Sequence, residues 1–250
     1  MHYDPMSDLV SAVPPHEPSE DALAFAGKAA LTAVPIIGPM VAEALSHALD
    51  SRRAQRQHDF NLQIAYALTR AVERLDAGLT VEHVVSSDEF VAAVTRAQRV
   101  ASETASQTKR KRLAEAAVNG GAWSPFSRTE REQFTRLVDE FGDLHIFLLH
   151  FYADPKAWLD EHGMESEYAN IWTASPSKPL SAALGAAEQE WSGPVTQVVA
   201  DLSRSGLAEV PLNTHMSADG VLASRTNEKG QRFLSFLNEA SSASAKAPSI

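Results

Sequence analysis

Two pairs of side chains near the middle of the sequence have the residue types of metal ligands. His145 and His150 are five residues apart on a predicted helix, so they lie on different faces of that helix. A helical zinc pair needs a spacing of about four residues, as in His-Glu-x-x-His, and the sequence lacks that motif. Asp139 and Asp143 have the i, i+4 spacing, but they are predicted on the polar face of an amphipathic helix, where carboxylates are usually solvated. We therefore predict no metal site.

The motifs of nucleotide-binding and nucleophilic enzymes are also missing. The glycines of NGGAW, Gly120 and Gly121, are not followed by the Lys-Ser/Thr of a phosphate-binding loop, and no strand is predicted before them. Ser192 in EWSGP lacks the strand–turn–helix setting and the flanking glycines of a nucleophile elbow. The sequence contains no cysteine, which excludes a disulfide framework, thiolate zinc sites and a cysteine nucleophile. We predict a protein that is not an enzyme and that has no cofactor.

Two clusters of cations are candidates for contact with a partner or with lipid. They consist of Lys109, Arg110, Lys111 and Arg112 in the run TKRKR, and of Arg52, Arg53 and Arg56. The first four radiate over more than half the circumference of a helix, which usually means a solvated surface but also suits an acidic protein or an anionic lipid. The second cluster resembles the basic flank of a membrane-inserting segment. The alternative is that Arg52 and Arg56 pair with acids such as Asp50 and Asp59.

The most apolar stretch of the chain, AVPIIGPMVAEAL, covers residues 33–45 and is interrupted by Pro35, Gly38 and Pro39. Only 14 residues, from 29 to 42, run without a charge, whereas crossing a bilayer takes about 20. The prolines fall where one helix would end and the next would begin. We therefore expect this stretch to be the corner of a helical bundle. A membrane-active hairpin over residues 29–49 is the alternative.

The sequence has a net charge of −10, and the acidity is concentrated in its middle. Residues 121–174 have 4 basic and 10 acidic side chains, a net −6, whereas residues 1–120 contribute −3 and residues 175–250 contribute −1. No segment has the basic excess of a nucleic-acid-binding surface. The N-terminus carries Asp4 and Asp8 and lacks the basic start and apolar region of a secretory signal. We therefore expect a cytoplasmic protein.

Helical periodicity predicts a bundle over residues 19–165, after a flexible arm over residues 1–18. A long amphipathic helix is predicted from Pro39 to Leu75 with Gly78 as its C-cap, and a break near Ser51 is an alternative. Further helices are predicted over residues 20–33, from Ser87 or Ser86, from Lys109 to Gly120, over residues 127–152, and from Asp154 and Pro155. The predicted buried face of the helix that begins near Ser87 consists of Phe90, Val91, Val94, Ala97 and Ala101. Residues 163–178 are predicted to form a loop and a domain boundary.

The last third follows a different plan. Helices are predicted from Leu180 to Trp191 and from Pro194 to Ser205, the second closed by Gly206. LAEVPLN and GVLASR, joined by THMSAD, are predicted to form a β-hairpin. Thr226 is predicted to cap a final helix whose inner face is Phe233, Leu234, Phe236 and Leu237. The predicted fold class is thus mostly all-α: an N-terminal helical bundle, a winged-helix module over residues 178–239, and a disordered tail over residues 240–250.

This C-terminal pattern resembles the winged-helix tail of many bacterial proteins, with a Leu-x-x-x-Gly-Leu helix end before the hairpin. The residues that match are Leu202, Gly206, Leu207, Thr226, Gly230 and Phe233. With the PIIG … RR region ahead of it, the chain resembles the abortive-infection alpha-like group over roughly residues 30–238. The resemblance implies a small helical-bundle protein associated with bacterial defence against phage.

A winged helix also raises the hypothesis of DNA binding. The candidate recognition helix offers only Thr196, Gln197 and Arg204, with Asp201 close to them. Because phosphate contacts from several cations supply most of the affinity for DNA, we expect nucleic acid not to be the partner. The preferred hypothesis is a non-enzymatic cytoplasmic protein that acts through a protein partner or self-association, in anti-phage defence. A membrane-perturbing effector and a DNA-binding regulator are the alternatives.

Overall fold

A computed structural model of the protein describes residues 50–73 and 80–237. The chain divides by its contacts into two compact units, Met1–Asp59 and Phe60–Ile250. In the first unit the described residues, 50–59, are helical. The predicted arm, the helix over residues 20–33, the apolar corner with its membrane alternative, Gly78 and the tail from residue 240 lie outside the described residues.

The described part of the chain is mostly helical, which confirms the predicted class. Helix α1 is described over residues 50–73. The further helices are α2 (Val81–Val85), α3 (Asp88–Glu103), α4 (Gln107–Asn119), α5 (Arg128–Glu140), α6 (Asp143–Phe151), α7 (Pro155–Glu161), α8 (Ser177–Leu184), α9 (Glu188–Arg204), α10 (Ala218–Val221) and α11 (Glu228–Phe236). Two short strands, β1 (Thr173–Ala174) and β2 (Met216–Ser217), pair antiparallel with Thr173 opposite Ser217.

Polar side chains at the helix N-termini explain where several helices begin. Ser87 accepts a hydrogen bond from the backbone N–H of Phe90, which confirms Ser87 rather than Ser86 as the cap of α3. Ser106 accepts a hydrogen bond from the backbone N–H of Lys109 and caps α4. The TKRKR run therefore belongs to a new helix that begins after α3 has ended. Ser127 and Glu130 form a reciprocal capping box at the start of α5. Each such cap stabilises its helix by about 1 kcal/mol.

The prediction of one helix over residues 127–152 is wrong, because the chain breaks between α5 and α6. Phe141 is extended (φ −80°, ψ 136°) and Gly142 follows it in extended conformation. The break turns the Phe141 ring into the core. It also starts α6 in a new direction, and all six of its residues from 146 to 151 are buried. Periodicity concealed the break because apolar residues continue on both sides of it.

The main cluster of buried apolar side chains is accompanied by two smaller ones. The main cluster includes Phe134, Leu148, Trp158, Leu180 and Phe233, which come from both sides of residues 163–178. Within residues 60–237, the loop predicted as a boundary therefore does not separate two cores.

An aromatic group within this core joins α5 to α11. The Phe134 ring lies 5.4 Å from the Phe233 ring, 5.5 Å from Phe236 and 5.9 Å from Phe126. The Phe141 ring lies 5.9 Å from Phe233, so the residue at the helix break takes part as well. These tilted and edge-on contacts are the favourable geometries for aromatic pairs.

The predicted buried face of α3 is correct except at one position. Phe90, Ala97 and Ala101 are buried, and Val94 packs against the same core. Val91 is 53% exposed. It follows Phe90 directly, and successive residues of a helix point about 100° apart, so the two cannot share a narrow buried stripe.

In the last third the predicted helices are displaced. Trp191 and Pro194 both lie within α9, rather than at the end of one helix and the start of the next. Trp191 is buried, which holds the extra N-terminal turn of α9 against the core. Gly206, at φ +67°, follows the end of α9 and confirms the predicted stop.

The predicted β-hairpin is wrong. Residues 218–221 form helix α10, capped by Ser217, and β2 pairs with β1 instead of with LAEVPLN. What joins the two predicted hairpin regions is a single antiparallel bridge between Ala208 and Thr226.

Thr226 is not the N-cap of the last helix. Asn227 holds that position and accepts from the N–H of Gly230, whereas the Thr226 hydroxyl donates to the Leu149 carbonyl at 2.7 Å. The chain also passes very close to α11 here, because a Cβ on Gly230 would lie 2.4 Å from the Leu207 oxygen. A glycine is therefore required at residue 230.

An ion pair ties α11 to the start of α5. Arg232 donates to both carboxylate oxygens of Glu130, from Nε at 2.5 Å and from Nη2 at 3.0 Å. The hydrogen bond from Arg232, followed by those from Ser127, lowers the pKa of Glu130 from 4.5 to about 2. The folded state thus favours the Glu130 carboxylate, whose contribution to stability is fully present above pH 4.5 and is lost as the pH falls toward 2.

Glu130→Gln is expected to lower the free energy of unfolding at pH 7 by about 1–2 kcal/mol, after solvent screening of this part-exposed pair is allowed for. It should also flatten the dependence of stability on pH between 4.5 and 2. Urea unfolding across that pH range measures both effects. Glu132→Gln is the matched control, because Glu132 pairs with Arg128 on the exposed surface and should change stability by less than about 0.5 kcal/mol. Equal slopes for wild type and Glu130→Gln would contradict the assignment.

Candidate interaction surface

The segment that follows α6 forms a short helix held firmly against the core. Asp154 accepts from the backbone N–H of Ala157, and Pro155 occupies the first turn of α7. Trp158 and Leu159 bury their side chains. Gly163 follows the end of the helix with a positive φ of +68°. The Met164 N–H donates back to the Leu159 carbonyl at 2.9 Å.

Two further turns bring the chain from α7 to strand β1. The 3₁₀ turn Glu165–Glu167 is followed by a hydrogen bond from the Ala169 N–H to the Glu165 carbonyl, at 3.1 Å. The Ile171 N–H then donates to the Tyr168 carbonyl at 3.0 Å. The exposed carboxylates of Glu165 and Glu167 therefore lie in the turns that lead into the strand.

The residues that lead into strand β1 differ in their burial. Ile171 and Ala174 are buried in a small cluster with Val221 of α10. Trp172 lies next to Ile171 and points away from the cluster, so that it is 88% exposed. The chain bends at Trp172 and enters β1 with the next residue, and the indole is left in solvent at this bend.

Arg225 attaches this small cluster to the main core. Its Nη2 donates to the Gly220 carbonyl at 2.6 Å and contacts the Met216 sulfur at 3.1 Å. Its backbone N–H donates to the Tyr152 carbonyl at 2.7 Å. Arg225 therefore links α10 and β2, the strand that pairs with β1, to the end of α6.

Trp172 differs from the other three tryptophans of the chain. Trp158 and Trp191 are buried, and the part-buried Trp123 donates its indole N–H to the Val118 carbonyl at 3.0 Å. An indole is large and mostly apolar, and a tryptophan is highly buried on average. Of the four tryptophans, Trp172 would therefore gain most from burial against another protein.

The surface around Trp172 is acidic. Residues 153–174 contain five carboxylates and one lysine, a net charge of −4. That lysine, Lys156, donates to Asp160 at 2.6 Å, and the Asp160 hydrogen bond raises the pKa of Lys156 to about 12. Tyr168 also donates to Asp160, and the bonds from Lys156 and Tyr168 lower the pKa of the Asp160 carboxyl. The carboxylates of Glu161, Glu165 and Glu167 are exposed and form no ion pair within the described residues.

The predicted TKRKR surface is mostly used inside the fold. Arg110 is buried and donates to the carbonyls of Thr104 and Ala105, at 3.1 and 3.2 Å. Arg112 donates to Asp143 at 2.6 Å, and Lys109 donates to the Asp139 carbonyl at 2.8 Å. Lys111 is the exposed member of the cluster. Three of these four side chains therefore hold the α3–α4 corner and the α5–α6 break in place.

The arginine cluster in α1 lies on the described part of the first unit. Arg52 and Arg53 are exposed and Arg56 is part-buried. Their predicted contact with a partner or with lipid stays a prediction.

The candidate DNA-contacting residues of α9 are engaged with one carboxylate. Gln197 donates to Asp201 at 3.2 Å and Arg204 at 2.7 Å. Asp201 also lies 3.6 Å from His145, whose pKa is lowered by burial. Thr196 lies instead on an open groove of about 990 Å³ between α9 and residues 209–213. The charge that this helix offers to phosphate is therefore small.

The two pairs of side chains that have the residue types of metal ligands are also apart or occupied. His150 is buried in α6, away from the part-buried His145. Asp139 pairs with Arg96 at 2.8 Å and Asp143 with Arg112, and the helix break places the two aspartates on different helices. Within residues 50–73 and 80–237, no group of three or more His, Cys, Asp or Glu side chains has a metal-binding arrangement.

None of the helices over the described ranges is both long enough and apolar enough to cross a bilayer. Comparison of the chain with protein-family models, with curated proteins and with solved structures found no match.

Sequence reasoning placed Trp172 in a loop and did not select it. The usable signal was a tryptophan beside a run of carboxylates, but burial of an aromatic residue in a loop depends on distant parts of the chain.

Proposed function

We propose that the protein is a non-enzymatic binding protein that acts through a protein interface centred on Trp172. The observation that carries the proposal is an indole 88% exposed directly before strand β1. Tryptophan is the residue type most enriched among the residues that dominate interface energies. A tryptophan side chain has only two rotatable χ angles, so it loses little conformational freedom on binding.

The biological setting of the proposal comes from the resemblance to the abortive-infection alpha-like group. From that resemblance we infer a role in bacterial defence against phage, and the cytoplasmic location expected from the sequence belongs to the same proposal. The order α8, α9, the Ala208–Thr226 bridge and α11 supports a winged-helix-like module without a full hairpin. Of the matching residues, Gly206 ends α9 and Gly230 permits the close contact with Leu207, so both serve the packing of that module.

The two alternatives have less support. The hairpin of the membrane-perturbing effector lies outside the described residues, and liposome leakage dependent on residues 29–49 is its test. The DNA-binding regulator needs free cations on α9, whereas Arg204 and Gln197 both bind Asp201. A gel shift at low salt tests that alternative.

Trp172→Ala is expected to abolish protection of a bacterial culture that expresses the protein against phage, because loss of a central aromatic anchor weakens binding by about 30-fold or more. The measurement is the efficiency of plaque formation over a broad phage panel. The same substitution should change the free energy of unfolding by no more than about 0.5 kcal/mol, because the side chain packs on little.

Tyr66→Ala is the matched control, because Tyr66 is also a large exposed aromatic residue, 64% exposed on α1. It should leave protection unchanged. Full protection by Trp172→Ala would overturn the interface. Absence of protection by the wild-type protein against every phage would remove the defence setting, and pull-down with Trp172→Ala as the negative control would then test the interface alone.

A further inference from the structure

We propose that the Trp172 surface binds a cationic segment of a partner protein, with a lysine or arginine side chain over the Trp172 indole and further cations on Glu165 and Glu167. The inference rests on the proposed function, since it names the chemistry of the partner that the same surface recognises.

Charge is the first reason. Within residues 153–174 the one lysine is occupied by Asp160, whereas Glu161, Glu165 and Glu167 are exposed and lack an ion pair in the described part of the chain. Uncompensated carboxylates attract a cationic partner and raise its rate of association. They also repel phosphate groups, so the surface disfavours nucleic acid and anionic lipid.

The indole is the second reason. The face of a tryptophan ring is the best aromatic partner for an ammonium or guanidinium group. Trp172 presents that ring to solvent five residues after Glu167, and the Ala169–Glu165 and Ile171–Tyr168 backbone hydrogen bonds fold the intervening residues into turns. A cation placed there gains attraction from the ring and from the carboxylates together.

The segment over residues 153–174 already contains one cation that contacts both an aromatic ring and a carboxylate. The ammonium of Lys156 lies 5.3 Å from the centre of the Tyr168 ring and donates to Asp160 at 2.6 Å. Cation, aromatic ring and carboxylate thus meet within one chain on this surface. Trp172 with Glu165 and Glu167 offers the ring and the carboxylates of a second such arrangement, with the cation to come from the partner.

The test is isothermal titration calorimetry of the full chain with a synthetic 12-residue peptide of alternating lysine, arginine and glycine, at low and at moderate salt. The comparison peptide replaces every cation by glutamate. We expect the cationic peptide alone to bind, and its affinity to fall as salt is raised. Trp172→Ala, and separately the double variant Glu165→Gln/Glu167→Gln, should each weaken binding by about tenfold, corresponding to about 1.4 kcal/mol.

The double variant Glu188→Gln/Glu190→Gln is the matched control, because it removes the same charge from exposed positions at the start of α9. It should retain wild-type affinity. Equal weakening by this control, unchanged binding by Trp172→Ala, binding of the glutamate peptide, or no binding of the cationic peptide to the wild type would each overturn the inference.

Failure here and failure of the proposed function are distinguishable. If Trp172→Ala removes phage protection while the cationic peptide does not bind, the interface stands and its assigned partner chemistry falls. If Trp172→Ala retains protection, the interface itself falls, whatever the peptide does.

Discussion

Gly230→Ala is expected to lower the free energy of unfolding by about 2–3 kcal/mol, although alanine is a better helix former than glycine by about 1 kcal/mol. The added Cβ would lie 2.4 Å from the Leu207 oxygen and 2.6 Å from the Thr226 methyl group. The first of these is a backbone atom, held by its hydrogen bond from the Asn227 N–H at 3.0 Å. Relief therefore requires α11 to move away from the end of α9.

Urea unfolding of wild type and variant measures this effect. Gly142→Ala is the control, because no atom lies within 4 Å of a Cβ at Gly142 and its φ is −93°. The control should cost less than about 1 kcal/mol, the usual difference between glycine and alanine at a helix N-cap. If the two substitutions cost the same, α11 does not approach Leu207 as closely as described.

Phe134→Ala is expected to cost about 3–5 kcal/mol, the usual range for emptying a fully buried aromatic site. Phe134 is fully buried and its ring contacts Phe126, Phe233 and Phe236. Alanine leaves a cavity where α5, the turn before it and α11 meet. The three remaining rings are bulky and are held by two elements, α11 and the turn before α5, so they cannot all move to fill the space.

The midpoint of urea unfolding reports this loss, and Phe134→Leu provides the comparison. Leucine keeps most of the buried volume and should cost about 1–2 kcal/mol. An unchanged denaturant slope in both variants would show that the loss lies in the folded state. A cost below about 1 kcal/mol for Phe134→Ala would mean that this aromatic cluster is not the link between α5 and α11.

Local signals in the sequence predicted much of the helical framework. Gly206 acts as predicted, and Ser87 is the one of the two predicted caps that is used, because a cap and a positive-φ glycine depend on residues within one turn. The break at Phe141 and Gly142 was not predictable in this way. It depends on where Phe141 packs against Phe233, which lies 92 residues further along the chain.

The predicted hairpin failed for a similar reason. GVLASR has the composition of a strand, yet Ser217 caps a helical turn there, and Met216 pairs with Ala174 from a distant loop. That pairing also fixes the backbone directly after Trp172. The candidate surface was therefore beyond sequence reasoning, even though the acidity of residues 121–174 was evident.

The cation run TKRKR shows a second limit of prediction from sequence. A helical wheel correctly spreads its side chains around α4, but it does not show the carbonyls of Thr104 and Ala105 or the carboxylate of Asp143 that approach them. The run was a candidate contact surface, whereas three of its four side chains form hydrogen bonds within the fold.

The unequal burial of the tryptophans gives the protein an intrinsic optical label. Trp158 and Trp191 are shielded from water, Trp123 is partly shielded, and Trp172 is in contact with bulk solvent. Water-soluble quenchers therefore reach the fluorophore at the centre of the candidate interface far more readily than those in the core. Emission from the red edge of the spectrum reports on that one surface, so its occupancy can be followed without attaching a dye.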